Sequence, residues 1–242
     1  RLYNEKQFVF KDTYYHHSTV DDNAFSPDDY IKQLDDIVEY DKDLHRVARL
    51  GEFGTIGERV LKRLELMEYK KGMEEINNIK RPLYNAGMDF GFATSKNALV
   101  RTCVDRDKEY LYVYYEYYDN HKTDDITKVD IREFAESGEL IYGDSAEPKT
   151  IAYYQQQGFN MYKCTKSPGS RLQNIKKMQR FKKIIILDNC INTWEELKDL
   201  VFKKDKNGNI IPDEFNIDPH SFSAMWYALD NYQVTDFKVY DI

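Results

Sequence analysis

Two acidic residues stand in positions where a carboxylate is hard to explain by folding alone. Asp89 lies in Gly87-Met88-Asp89-Phe90-Gly91, inside an apolar run with strand character. Burying a carboxylate in such a run is costly unless it is paired or bound to a cation. The flanking glycines would let a ligand come close to the backbone. Asp144 lies in Ile141-Tyr142-Gly143-Asp144-Ser145-Ala146-Glu147-Pro148, where a strand pattern stops and a helix pattern starts. Ligand sites gather at such points in α/β sheets. On neighbouring strands the two acids could hold one or two hard divalent ions, the arrangement that phosphodiester cleavage uses. Each has a plainer reading too: Asp89 as a strand-end carboxylate bridged to a lysine, Asp144 as a helix cap.

Two further acids are secondary candidates. Glu116 sits among Tyr114, Tyr115, Tyr117 and Tyr118 on an alternating strand, where a solvated position is the plain reading. Glu147 falls in the first turn of a helix, where an acid needs no special explanation. Residues 163–183 carry eight lysines and arginines and no acid, against a net charge of −7 for the chain. Lys163, Lys166, Arg171 and Lys176, around the loop Ser167-Pro168-Gly169-Ser170, are candidates for DNA backbone phosphates. A solvated helix face is the default for such a run.

These residues need a scaffold. Tyr84–Phe92, Ala98–Val104 and Tyr110–Tyr118 read as three antiparallel strands. Thr123–Ser137 reads as a helix with Ile126, Val129 and Phe134 inward. A short strand over Glu139–Gly143 ends at Asp144, and a helix runs from Glu147 to Gln157. Asn160–Cys164 is a strand, Leu172, Ile175 and Met178 have helical spacing, and Ile184–Leu187 is an apolar strand. Thr193 with Glu196 has the form of a capping box. Asn207-Gly208 signals a hairpin, and a last helix follows Asp218-Pro219 with Phe222, Trp226 and Leu229 on its core face. The sum is an α/β mixed sheet flanked by helices, compatible with an RNase H-like fold. Residues 1–82 have a different texture, mainly helical and acidic. Ser26-Pro27-Asp28-Asp29 opens a helix, and the charged run Glu58–Lys80 looks like a connector helix or linker. Residues 1–82 and 83–242 are therefore expected as separate parts.

Bulk properties exclude several classes. Of 242 residues, 32% are charged and 41% hydrophobic, the mix of a soluble globular protein. No apolar stretch could cross a bilayer and no signal peptide is present. The start at Arg1 suggests a fragment or processed product. Cys103, Cys164 and Cys190 form no Cys-x-x-Cys pair, which argues against structural zinc and fits a reducing cytoplasm. No Gly-x-x-x-x-Gly-Lys-Ser/Thr loop occurs, since Gly51, Gly54 and Gly57 lack the lysine, so ATP hydrolysis by this chain is not expected.

Four stretches in order carry a family resemblance: Gly87-Met88-Asp89-Phe90-Gly91; Tyr142-Gly143-Asp144-Ser145-Ala146-Glu147-Pro148; Lys203-Lys204-Asp205-Lys206-Asn207-Gly208-Asn209-Ile210; and the helix from His220 to Leu229. Together they resemble the nuclease domain of bacteriophage terminase large subunits, in the branch found in phages of Gram-positive bacteria. His17–Phe25 and Arg49–Gly54 resemble the end of that family's ATPase domain. The resemblance implies an RNase H-like endonuclease that cuts concatemeric viral DNA during packaging. It implies Mg²⁺ or Mn²⁺, with two ions expected, and Asp89 and Asp144 as metal-binding acids. In-line attack by water would leave a 3′ hydroxyl and a 5′ phosphate. Double-stranded DNA, a portal protein and a small terminase subunit are the implied partners, in an oligomeric motor. The implied setting is the host cytoplasm, transiently at the capsid portal and not in the mature virion.

One position departs from the pattern. Most members of the family that the chain resembles carry an aspartate three residues after the last motif's histidine, and here that residue is Ser223. Serine is a poor ligand for a hard cation. His220 and Ser223 share a helix face, so His220, or a water held by Ser223, is expected to complete the site. Two alternatives stay open: a non-catalytic docking or assembly module of the packaging motor, and another RNase H-like nuclease of the resolvase or transposase type.

Overall fold

The computed structural model describes residues 7–10, 13–39, 42–51, 57–91 and 95–232. They divide into two compact units, Arg1–Ile56 and Gly57–Ile242. Gly54 and Phe92 lie outside the described residues.

In the first unit, β1 (Gln7–Phe10) pairs antiparallel with β2 (Thr13–His16), followed by α1 (Asp28–Asp36) and α2 (Lys42–Ala48). The acidic stretch is tied together by Arg49, which donates to Asp21 at 2.8 Å and to Asp35 at 2.5 Å.

The second unit is built on a seven-stranded sheet. Its strands are β3 (Leu64–Met67), β4 (Pro82–Asp89), β5 (Asn97–Asp105), β6 (Tyr110–Asp119), β7 (Ile141–Gly143), β8 (Met161–Lys163) and β9 (Lys183–Leu187). The order across the sheet is β3-β9-β6-β5-β4-β7-β8. β4, β5 and β6 form the expected antiparallel meander, and the remaining neighbours pair in parallel. α7 (Ser170–Arg180), α8 (Ile191–Lys198) and α9 (His220–Ala228) bury apolar side chains in one cluster with Val100, Val113 and Ile186. A second cluster joins α5 (Arg132–Ser137) and α6 (Pro148–Gln156) to Met88, Leu99 and Ile141. Neighbouring strand residues point to opposite faces, so the helices cover the sheet on both sides. Each fully buried Ile, Leu or Phe in these layers stabilises the fold by about 1.5–3 kcal/mol. β10 (Phe202–Lys204) and β11 (Ile210–Phe215) form a separate ribbon, and its turn holds Gly208 at φ +85°.

The structure departs from the sequence reading at several points. Within Glu58–Lys80, β3 joins the sheet edge beside β9 and α3 (Tyr69–Asn77) packs behind it. The charges that suggest a linker are satisfied locally, as where Lys183 donates to Glu65. Gly72 lets α3 settle onto Leu187, whose Cδ2 would lie 2.1 Å from an added Cβ. Thr123–Ser137 is two helices, α4 (Asp124–Asp130) and α5, broken at Ile131. The break turns Thr127, Ile131 and Phe134 inward and leaves Ile126 and Val129 exposed. Thr193 and Glu196 form no capping box, because both are buried in α8 and Glu196 serves a different helix.

Candidate active site

Asp89 ends β4 and Asp144 follows β7. These strands are parallel neighbours, with Met88 opposite Gly143 and the Asp144 N–H donating to the Met88 carbonyl at 3.2 Å. Backbone pairing alone therefore sets the two carboxylates side by side at the C-terminal edge of the sheet, where α/β folds collect ligands. α9 crosses β4 so closely that a Cβ on Gly87 would sit 2.1 Å from the Ala224 carbonyl oxygen and 2.3 Å from the Ala228 nitrogen. Gly87 is thus a seat for a helix, not the opening for a ligand that the sequence suggests.

That seat brings His220 to Asp89, its Nδ1 lying 3.0 Å from Oδ2. Both side chains are largely buried. Burial pushes the Asp89 carboxyl above its ordinary value, the His220 contact opposes this, and the nearby charges of Asp144 and Asp218 add to the rise. His220 is raised in turn, first by its bond to Asp89 and against the effect of burial. Among the described residues, Asp89 Oδ1 takes no hydrogen bond. Asp144 differs. Burial pushes it upward, but the Ala146 N–H at 2.7 Å, the Lys166 ammonium and the Tyr227 hydroxyl at 3.0 Å outweigh burial and hold it low. Lys166 and the Ala146 N–H share Oδ1, while Tyr227 takes Oδ2. Asp144 is not the helix cap of its plain reading, since α6 has Glu147 at its N-cap; it accepts from the backbone two residues on and takes the lysine pairing read for Asp89, which pairs with His220 instead.

Two acids that sequence reasoning left in minor roles hold α9 in place. Glu116, expected to be solvated, accepts from the N–H groups of Asn192 and Thr193 at 3.0 and 2.8 Å and caps α8. Glu196, carried on α8, accepts from the N–H groups of His220 and Phe222 at 3.0 and 3.1 Å and from the Tyr118 hydroxyl at 3.0 Å. Burial pushes Glu196 up to about 7 against those donors. The signal in the sequence was an acid amid apolar residues in each case, without a sequence-local partner to reveal its use. Ser223 lies one turn beyond His220, partly buried, with its N–H donating to the Pro219 carbonyl.

Glu147 is exposed and lines an open cleft of about 370 Å³ with Phe90, Thr123, Asp124 and Thr150. Of the basic candidates, Lys163 and Lys176 are exposed, with no charged partner among the described residues. Arg171 lies over the Phe215 ring, 4.8 Å from its centroid. Lys177, Lys182 and Lys183 are engaged with the Leu229 carbonyl, Glu109 and Glu65.

The donor set suits a hard divalent cation: two carboxylates on adjacent strand ends, with the charge of Asp144 raising Asp89. Among the described residues, no group of three or more His, Cys, Asp or Glu side chains is arranged to hold a metal. The fit is therefore to an ion that uses one or two carboxylates and completes its shell with water or phosphate oxygens.

The model of the family described as terminase RNAseH like domain matches residues 89–231, and that of phage terminase large subunit matches residues 2–52. The PBSX phage terminase large subunit of Bacillus subtilis (strain 168) is 54% identical over 237 residues, 98% of this chain and 55% of that protein. The terminase large subunit of Bacillus phage SPP1 is 25% identical over 232 residues, 92% of this chain and 53% of that protein. The chain spans about half the length of these curated relatives. Its fold is similar to that of the SPP1 g2p nuclease domain, solved with bound Mn (TM-score 0.62, 24% identity, 71% of this chain and 97% of that one). The P22 large terminase nuclease domain is also similar (TM-score 0.53, 14% identity, 72% and 91%). With an RNase H-like sheet at its centre, the chain belongs to the phage terminase large subunit family.

Proposed function

We propose that the unit carrying the seven-stranded sheet, residues 57–242, forms a divalent-metal-dependent DNA endonuclease that cuts concatemeric phage DNA during packaging, with residues 1–56 the end of an ATPase domain. The carrying observation is the placement of Asp89 and Asp144 on adjacent strand ends, desolvated and within range of each other's charge. The metal named for the SPP1 nuclease domain supports Mn²⁺ or Mg²⁺ as the ion. When bound, such an ion activates water and stabilises charge on the phosphate oxygens.

The chain's own residues would prepare that chemistry. Strand pairing fixes the two carboxylates. His220 holds Asp89 through Oδ2. The Tyr227 hydroxyl and the Ala146 N–H orient Asp144. Ser223 is not assigned a ligand role. Lys163 and Lys176 are the exposed cations we assign to backbone phosphates, with Arg171 beside them. Double-stranded DNA is the substrate, a portal protein and a small terminase subunit are the partners, and the host cytoplasm is the setting. Among the described residues, no helix is long and apolar enough to cross a membrane. ATP hydrolysis is not expected of this chain by itself.

A second reading, a non-catalytic docking module, draws on the lack of a three-ligand group among the described residues. Plasmid DNA incubated with the chain and Mn²⁺, beside an Asp89→Ala variant, separates the two. Nicking or linearisation by the parent chain alone supports the nuclease. Equal absence of cutting favours the docking module, and equal cutting by both would show that Asp89 is not the centre.

A further inference from the structure

We propose that Lys166 takes the place of a second metal ion, so that this nuclease site binds one divalent cation rather than two. The inference rests on the reading of Asp89 and Asp144 as metal-binding acids and deepens it. Three observations carry it. The Lys166 ammonium is seated on Asp144 Oδ1, the oxygen that also accepts the Ala146 N–H, and lies 5.0 Å from the Tyr227 ring centroid. Asp144 Oδ2 accepts the Tyr227 hydroxyl. Both oxygens of Asp144 are therefore engaged, whereas among the described residues Asp89 Oδ1 takes no hydrogen bond. The third observation is Ser223, an uncharged residue on the helix face that carries His220.

The charge count then favours a single ion. With Asp218 also near Asp89, three carboxylates are already neutralised by Lys166 and one divalent ion before substrate arrives. A second divalent ion would need room beside an ammonium and would gain nothing from Ser223. Coulomb repulsion between a dication and an ammonium a few ångströms apart is strong even near a protein surface. A lysine is suited to the role because it is a compact point charge with three donors on a flexible stem. It can neutralise a phosphate oxygen that leaves the metal side of the site unserved.

The test is a count of bound Mn²⁺ on the whole 242-residue chain, read from the loss of the free-ion electron paramagnetic signal and by calorimetry. Folding of every variant is checked by circular dichroism. The parent chain is expected to bind one ion, Lys166→Arg one, and Lys166→Met, which keeps the length and removes the charge, two. Asp89→Ala should lose the ion. Two ions on the parent chain would overturn the proposal and leave the nuclease reading standing, as would one ion on both the parent chain and Lys166→Met. No binding by the parent chain, or binding that Asp89→Ala leaves unchanged, would overturn both.

Discussion

Gly87 offers the sharpest test of how the site is held together. An added Cβ there would meet the Ala224 carbonyl oxygen at 2.1 Å and the Ala228 nitrogen at 2.3 Å. Both are backbone atoms, so no rotamer change relieves the clash. Real Cβ contacts essentially stop at 3.0 Å, so α9 must move off β4 by about 0.9 Å or more in Gly87→Ala. Overpacking of this kind costs about 1–3 kcal/mol, which in a chain of this size lowers the melting temperature by about 2–12 °C. The same movement separates His220 from Asp89, and a displacement of about 1 Å at a reacting centre can cost about a hundredfold in rate. Thermal unfolding and Mn²⁺-dependent plasmid cleavage read the two effects separately. Gly143→Ala is the internal control, because its nearest neighbours would be side chains, the Phe90 ring at 2.9 Å and Ile151 Cγ1 at 3.4 Å, and a side chain can yield. A Gly87→Ala melting point within about 1 °C of the parent, or no larger a loss than Gly143→Ala shows, would refute the claim that close backbone packing seats α9.

Three further outcomes follow from the buried groups. Glu116→Ala removes the acceptor for two N–H groups of α8 and should cost about 1–2 kcal/mol by chemical denaturation, with Glu116→Gln nearer the parent. Glu196→Ala leaves the N–H groups of His220 and Phe222 buried without their acceptor, about 1–3 kcal/mol for each, again read by denaturation. A loss no larger than that of an exposed glutamate such as Glu195 would count against either capping role. The thiols should be silent in the native state. Burial pushes Cys103 up to about 12 and raises Cys164 and Cys190 as well, so the thiolate fraction is depressed at pH 8. A thiol reagent should therefore find almost no reactive cysteine until denaturant is added and then find all three, and rapid native labelling would contradict the buried placement.

The sheet was legible because its strands announce themselves. The β-branched and aromatic runs of β5, β6 and β9 alternate or persist as buried strands must, and the helix after Asp144 opens on Pro148. The two carboxylates were legible for the same reason, as charges placed where the pattern demands apolar residues. What stayed hidden depends on partners far away in sequence. Gly87 looked like a ligand opening because nothing nearby reveals that α9, about 137 residues later, lies across it. Thr193 and Glu196 have the spacing of a capping box, but tertiary burial sends Glu196 to the next helix, and Glu116, 76 residues upstream of Asn192, supplies the cap instead. Ile126 and Val129 fit one helix face only if the helix is continuous, and the break at Ile131 removes that premise.

The same long-range contacts explain how the site can do without an aspartate at position 223. A carboxylate on α9 that ligates a metal would tie the helix to the strand ends through the ion, and replacing it with serine would cut that tie. Here α9 has anchors that need no metal. Its backbone is pressed against Gly87. Its first N–H groups are held by Glu196, on a helix itself capped by Glu116 from the sheet. His220 closes the chain by returning to Asp89. A series of carboxylates thus runs from β6 through α8 to α9 and ends on the catalytic candidate. Each makes hydrogen bonds that water cannot easily replace, since removing one member of a buried polar network leaves the others unpaired. The position of His220 is then a property of the fold and needs no ion to set it.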